Sequence, residues 1–210
     1  MKNKDRTEDN SKHFVYSVID IFRIKSAKYF WYYVDKFSCK LERFANLYEK
    51  ILSKVYKKEG EEFGINDVKN ILHVGCGAYP VSALTLAELN GGNIVGIDSN
   101  PKVIKPAIEV IKKKNLEDRV KIKHGNGTNY PLDKFDMIII SGCAAPKKKV
   151  VKHIFQTAKP GTKIIVRELY SSKKVFDDML KNYKDIEILK RIENKPFMTS
   201  KWESFYLEKK

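Results

Sequence analysis

Residues 71–89 read ILHVGCGAYPVSALTLAEL. The apolar run ends in Gly75 and Gly77, which bracket Cys76, and Pro80 then opens a helical pattern. Glycines this close let the chain turn sharply and let a ligand lie against backbone with no Cβ in the way. Pro80 suits a first helical position, where its missing N–H costs nothing. Asp98 stands 21 residues after Gly77, at the end of the next apolar run, NIVGID. A carboxylate there accepts both hydroxyls of a ribose, so strand, glycine turn, helix, strand and acid together predict a nucleoside site. A dinucleotide asks for a third glycine to bring its pyrophosphate onto the helix start, and this loop has Pro80 instead. S-adenosylmethionine, a nucleoside without phosphate, makes no such demand. Two glycines alone would also describe a plain strand-to-helix turn.

The alternation continues downstream. Strands are expected at 70–74, 93–97, 120–123, 136–141 and 162–167, and helices over 81–90, 101–114, 147–157 and 173–183. Such alternation builds βαβ units and a parallel sheet covered on both faces. Two closing runs, 185–190 and 203–208, flank the turn-rich RIENKPFMTSKW and predict a hairpin at the sheet edge. The expected fold class is α/β: a doubly wound, seven-stranded, mostly parallel sheet with an N-terminal helical segment. The expected division is a helical cap over 1–60 and a nucleoside-binding domain over 61–210.

Residues 14–58 read as helix, beginning with a separate short turn around Phe14, Val18, Ile21 and Phe22. From Phe30 the apolar positions Val34, Phe37, Leu41, Phe44, Tyr48, Ile51 and Val55 follow in steps of four and three, one stripe on one helix. The stripe is either a seam for a homodimer or the face that docks on the following domain. Docking is preferred, because phenylalanines are bulky for a two-stranded seam. KKEGEEFGIND then reads as a connection.

The chain of 210 residues is 42% hydrophobic and 32% charged, a globular composition with room for one filled core. No apolar run nears the roughly 20 residues that span a bilayer, and the polar N-terminus carries no secretory pattern. Cys39, Cys76 and Cys143 are odd in number and lack C-x-x-C spacing, which predicts no disulfide framework and no metal site. A cytoplasmic location is expected. The formal charge of +15 leaves a nucleic-acid partner open without favouring it. Only six of the 41 basic residues are arginine, the residue suited to bidentate phosphate and guanine contacts. The KKK runs at 112–114 and 147–149 read as solvated helix ends.

Over residues 69–208 the sequence resembles the class I S-adenosylmethionine-dependent methyltransferases, whose fold is Rossmann-like. HVGCG is similar to their first motif, GIDSNP to their ribose loop, KHGNGTNYP to the loop after the third strand, and FDMIIISGCAAPK to the fourth strand with its active-site loop. The resemblance implies S-adenosylmethionine as donor. Gly75, Cys76 and Gly77 would lie against its methionine part, and Asp98 and Ser99 at the ribose. Asn126 and Gly127 would border adenine, and Ser141 would sit at the end of the fourth strand. Asn126 stands where the family carries an acid, and its oxygen would accept from the adenine amino group. GAYPVSALTLAEL and the loop-proline-basic-helix arrangement SGCAAPKKKVVKHIFQTAKPGTKIIVRE resemble the nicotianamine synthase family more narrowly. That family moves the 3-amino-3-carboxypropyl arm of the same donor.

A sulfonium donor is already electrophilic, so the protein must desolvate and align more than activate. Glu168, at the end of the fifth strand, is a candidate base or acceptor anchor. Glu42, Tyr48 and Tyr79 are candidates for positioning a substrate. Cys143 and Cys76 read as packing, His73 as a core residue and His124 as structural. His13 and His153 show no metal-ligand spacing. The aromatics Tyr29, Trp31, Tyr32 and Tyr33 would wall an acceptor pocket if the N-terminal helices close over it. The leading expectation is a methyltransferase acting on a small molecule. Aminocarboxypropyl transfer comes next, and a non-catalytic donor-binding or nucleic-acid-associated module third.

Overall fold

The computed structural model describes residues 29, 33–169, 172–197 and 200–210. Seven strands form one sheet in the order β3-β2-β1-β4-β5-β7-β6. They are β1 (Asn70–Val74), β2 (Asn93–Asp98), β3 (Val120–His124), β4 (Met137–Ile140), β5 (Lys163–Leu169), β6 (Ile186–Phe197) and β7 (Ser200–Lys209). The first five run parallel, and β7 is antiparallel to both β5 and β6. This is the doubly wound architecture expected from the sequence. β4 is MIII, buried at every position, as a strand covered on both faces must be.

The helices follow as α1 (33–38), α2 (Glu42–Phe63), α3 (Val81–Leu89), α4 (Pro101–Lys113), α5 (Lys147–Thr157) and α6 (Lys173–Leu180). One core lies between the sheet and α2, α3 and α4, with Ile71, Leu84, Ile94, Ala107 and Ile139 at its centre. The other lies under α5 and α6 around Ile138, Ile154, Phe155, Phe176 and Phe205. Helix α3 is buried on every side from Val81 to Ala87, because α2 covers the face turned away from the sheet. The strand order reverses between β1 and β4, and the loops after these two strands open there. In open α/β sheets that reversal is where ligands bind.

The N-terminal helix departs from expectation in three ways. It is broken at 39–41, where Leu41 is extended (φ −118°, ψ 101°) and α2 begins. The stripe therefore does not share one buried face: Phe37 and Leu41 are each 55% exposed and Phe44 is 39% exposed. Of the stripe, Tyr48 is buried and Val34 and Val55 pack on the core, and Ala45, Leu52, Gly60 and Phe63 complete the docked face. The helix also runs through KKEGEEF to Phe63 and ends on Gly64 in the left-handed conformation. Gly60 is no breaker there, since a Cβ on it would meet Leu89 Cδ1 at 2.7 Å, so the glycine lets α2 and α3 touch. The expected early turn around Phe14 to Phe22, Phe30 of the stripe, and Trp31 and Tyr32 lie outside the described residues.

The hairpin is longer than the sequence pattern suggests. β6 continues through RIENKPF because Ile192 and Asn194 bury against the α2 side, and an edge strand tolerates Pro196. Among the described residues, no helix is long and apolar enough to cross a membrane, and no cluster of three His, Cys, Asp or Glu side chains could hold a metal ion.

Candidate active site

A cavity of about 330 Å³ opens at the strand reversal. Its floor is the turn after β1. Gly75 and Gly77 have φ of 83° and 70°, the left-handed region that favours glycine. The N–H groups of Gly75 and Cys76 both donate to the Ile97 carbonyl, at 2.8 and 3.0 Å, which ties the turn to the end of β2. A Cβ on Gly75 would stand 3.3 Å from Ser141 Cβ and 3.4 Å from Ala144 Cβ. Both glycines line the cavity, with the Cys76 side chain between them.

Asp98 closes one end. Its Oδ2 accepts from the Gly77 N–H at 3.0 Å and its Oδ1 from the Asn100 N–H at 2.9 Å. Each carboxylate oxygen keeps a second lone pair, so two ribose hydroxyls still find acceptors. Ser99, Gly125, Asn126 and Gly127 continue this end of the wall. The Asn126 side-chain oxygen already accepts from the Thr128 N–H and hydroxyl, both at 3.0 Å. With that oxygen engaged twice, the NH₂ is the group of Asn126 left to meet a ligand.

The other end is built by the N-terminal helices and β5. Tyr48, Leu52 and Tyr56 project from α2 at four-residue spacing, with Tyr79, Leu169 and Trp202 around them. Arg167 lies at the base, its guanidinium 4.0 Å above the Tyr56 ring. It donates to Glu59 through Nη2 at 2.7 Å and to Ser82 Oγ through Nη1 at 2.6 Å. Glu59 also accepts from Ser204, which in turn receives the Asn194 amide at 2.9 Å. The pair is fully buried, and its hydrogen bonds offset the desolvation.

Asp35 from α1 reaches into the same space. Its Oδ2 accepts from the Ala78 N–H and its Oδ1 from the Tyr48 hydroxyl, each at 3.1 Å. Burial pushes its carboxyl up to about 7, with the Asp98 charge adding to the effect and its hydrogen bonds opposing it. His73, buried in β1, holds Ser141 Oγ at 2.9 Å through Nε2. Burial, helped by the Arg167 charge, pushes its ring down to about 3, so it is neutral, and Nδ1 has no partner among the described residues.

All eight donor-site positions read from the sequence line this cavity: Gly75, Cys76, Gly77, Asp98, Ser99, Asn126, Gly127 and Ser141. The three catalytic candidates divide. Tyr79 lines it, with its hydroxyl donating to Glu49 at 2.8 Å, and Glu49 is also held by Lys114. Glu42 does not line it: six residues before Tyr48 on α2, it falls on another face of the helix and is exposed. Glu168 does not line it either. Alternate strand residues face opposite ways, and with Arg167 turned to the cavity Glu168 is buried on the far side, bonded by Ser172 and 3.9 Å from Lys147.

No sequence pattern marks Asp35, Glu59, Arg167, Tyr56 or Trp202 for this site, and Lys147 differs from its expected place at a solvated helix end. It is half-buried, and its Nζ donates to the Ser141 carbonyl at 2.6 Å and the Arg167 carbonyl at 2.7 Å, joining the ends of β4 and β5. Only Lys148 and Lys149 of that run are exposed. Cys143 lines the cavity and Cys39 donates to the Ala78 carbonyl at 3.4 Å. His124 contacts the Ser99 carbonyl at 3.2 Å and His153 the Tyr130 carbonyl at 2.9 Å, while His13 lies outside the described residues.

The chain is 27% identical over 114 residues to erythromycin 3''-O-methyltransferase of Saccharopolyspora erythraea, covering 52% of this chain and 37% of that protein. It is 27% identical over 129 residues to norajmaline N-methyltransferase of Rauvolfia serpentina, covering 59% and 39%. The chain thus spans about two fifths of the length of these curated relatives. Among solved structures, an MtNAS point mutant in complex with S-adenosylmethionine superposes with a TM-score of 0.70 at 16% identity, over 92% of this chain and 77% of that one. MtNAS is of the nicotianamine synthase-like branch. The cyclase SpnF gives 0.62 at 15% identity, over 75% and 81%. The profile of the family described as "Methyltransferase domain" matches residues 65–207. The chain belongs to that family, within the class I S-adenosylmethionine-dependent methyltransferase superfamily.

Proposed function

We propose that this chain is an S-adenosylmethionine-dependent transferase acting on a small molecule, and that the group it moves is the 3-amino-3-carboxypropyl arm. The observation that carries the reading is the cavity's shape: it runs from Asp98 past the glycine turn into a chamber walled by α1 and α2. A donor with its ribose at Asp98 and its sulfur over Gly75 and Gly77 would extend its amino-acid arm toward Asp35 and Tyr48. The arm, not only the methyl, then faces the chamber. The fold likeness to MtNAS supports this, because it includes the N-terminal helices as well as the sheet.

The donor supplies an electrophilic carbon: an acceptor lone pair bonds to it, the C–S bond breaks with its pair going to sulfur, and the acceptor's proton passes to a base or water. In this reading Asp98 holds the ribose, with Ser99 beside it. Asn126 donates to an adenine ring nitrogen, with Gly127 below it. Tyr48, Tyr56, Tyr79 and Trp202 exclude water from the transfer path, and the Arg167–Glu59 pair keeps the chamber base polar without net charge.

Methyl transfer is the second reading, and the curated relatives, O- and N-methyltransferases, favour it. Mass spectrometry of the nucleoside by-product decides between the two. Purified protein is incubated with donor and a small-molecule extract of the source cells. Methylthioadenosine above a no-protein blank establishes arm transfer, and S-adenosylhomocysteine establishes methyl transfer. Bound donor with neither by-product would point to a binding role or a macromolecular acceptor.

A further inference from the structure

Asp35 rests on the one surface of the glycine turn that a side chain would normally cover. A Cβ built on Gly77 would run into Asp35 Oδ2. The carboxylate is held there from two directions, by the Ala78 and Tyr79 N–H groups of the turn and by the Tyr48 hydroxyl from α2. Among the described residues, two aspartates and one arginine line the cavity: Asp98, Asp35 and Arg167. Asp98 is engaged at the ribose end by two backbone N–H groups. Arg167 is neutralised by Glu59. The span of the cavity between Gly77 and Tyr48 is therefore bordered by a carboxylate whose hydrogen-bond donors, the backbone amides of Ala78 and Tyr79 and the Tyr48 phenol, carry no charge.

On the reading of the cavity as a donor site, we infer that Asp35 is a specificity-determining residue that selects the charge on the donor's sulfur. A sulfonium laid along Gly75 and Gly77 lies beside the carboxylate in a partly desolvated space, where Coulomb attraction is several times stronger than in water. The thioether left after transfer is neutral and receives none of this attraction. The same residue thus favours substrate over by-product and helps release the by-product. The described groups that face Asp35 fit such a role, since Tyr48 from α2, Asp98 from β2, Cys76 from the turn and Cys39 from its own segment are all neutral or anionic. An empty cavity therefore burdens the carboxylate, and an arriving cation relieves it.

The test is calorimetric titration of the full chain with S-adenosylmethionine, sinefungin, which carries an ammonium near the sulfur position, and S-adenosylhomocysteine. At pH 8 the wild type is expected to bind the two cationic ligands about tenfold more tightly than the thioether. Asp35→Asn should bring all three within about twofold while leaving the thioether's affinity unchanged, and Asp35→Glu should keep the preference. Should Asp35→Asn fail to fold, the wild type serves alone: its preference should shrink at pH 5.5, where the carboxyl is protonated. The inference is overturned by an unchanged preference in Asp35→Asn, by an equal loss for all three ligands, or by an equal gain, which would make Asp35 a plug. A variant that binds like the wild type yet fails to turn over would make it a base instead. A wild type that binds none of the three removes the donor reading itself.

Discussion

Arg167 on β5 and Glu59 on α2 meet in the core at 2.7 Å, across 108 residues of chain. Two charges that deep are worth less as a pair than they cost when one is removed. Glu59→Ala leaves a buried guanidinium uncompensated and should destabilise the fold by about 3–5 kcal/mol. Replacing both with apolar residues of similar size should cost less than the sum of the single changes. Urea denaturation of the double-mutant cycle measures the difference, and strict additivity would deny the coupling.

Gly77 carries two demands at once, a φ of 70° and a Cβ position filled by Asp35. Gly77→Ala should cost about 1–2 kcal/mol from the backbone alone. It should also weaken donor binding by more than about tenfold, since the turn and the carboxylate cannot both keep their places. Adding Asp35→Gly removes the clash and should recover part of the stability and none of the φ strain. Thermal melts of the single and double variants separate the two contributions.

Asp98→Ala should cost about 10- to 100-fold in donor affinity, the order expected for losing hydrogen bonds to a charged group. The stabilisation of the protein by saturating S-adenosylmethionine should shrink to match. A ligand-induced melting shift equal to that of the wild type would place the ribose elsewhere.

Asp35 also predicts a pH dependence of the ligand-free protein. Its folded pKa is raised, from 3.8 to about 7, so the native state holds this proton more tightly than the unfolded chain does. Its contribution to stability is complete below about pH 4, falls as pH rises toward 7, and is flat above. Asp35→Asn should remove that slope in denaturation measured from pH 4 to pH 8. Saturation with a cationic donor should flatten it in the wild type.

The sheet and the glycine-turn half of the cavity are legible in the sequence because their signals are local. Gly75, Gly77 and Asp98 lie on consecutive elements, and the five parallel strands show as short apolar runs. The chamber is not legible, for reasons that particular residues make plain. Glu59 sits among the charges of KKEGEEF, which look like a solvated connection, and its partner Arg167 is 108 residues away. Asp35 acts on Ala78, 43 residues on, through a helix broken at a point that apolar spacing alone does not mark. Lys147 hides in a run of three lysines, of which it alone turns inward to two carbonyls. Glu168 misses the cavity by one position, because a strand offers it only every second side chain.

The fastening of α2 is uneven along its length. Its last turns are held by Glu59 on Arg167, by Phe63 stacked on Tyr206 at 4.7 Å, and by Glu62 on Lys190. Its first turns carry Leu41, Phe44 and Leu47 toward solvent. The first turns are held more lightly, by Ala45 and Tyr48 in the core and by Glu49 on Tyr79 and Lys114, with no buried ion pair among them. Amide exchange should quicken in that direction, from Phe63 back to Glu42. Asp35 lies beyond that end and takes the Tyr48 hydroxyl on Oδ1, so whatever loosens the first turns of α2 also loosens its hold on the glycine turn.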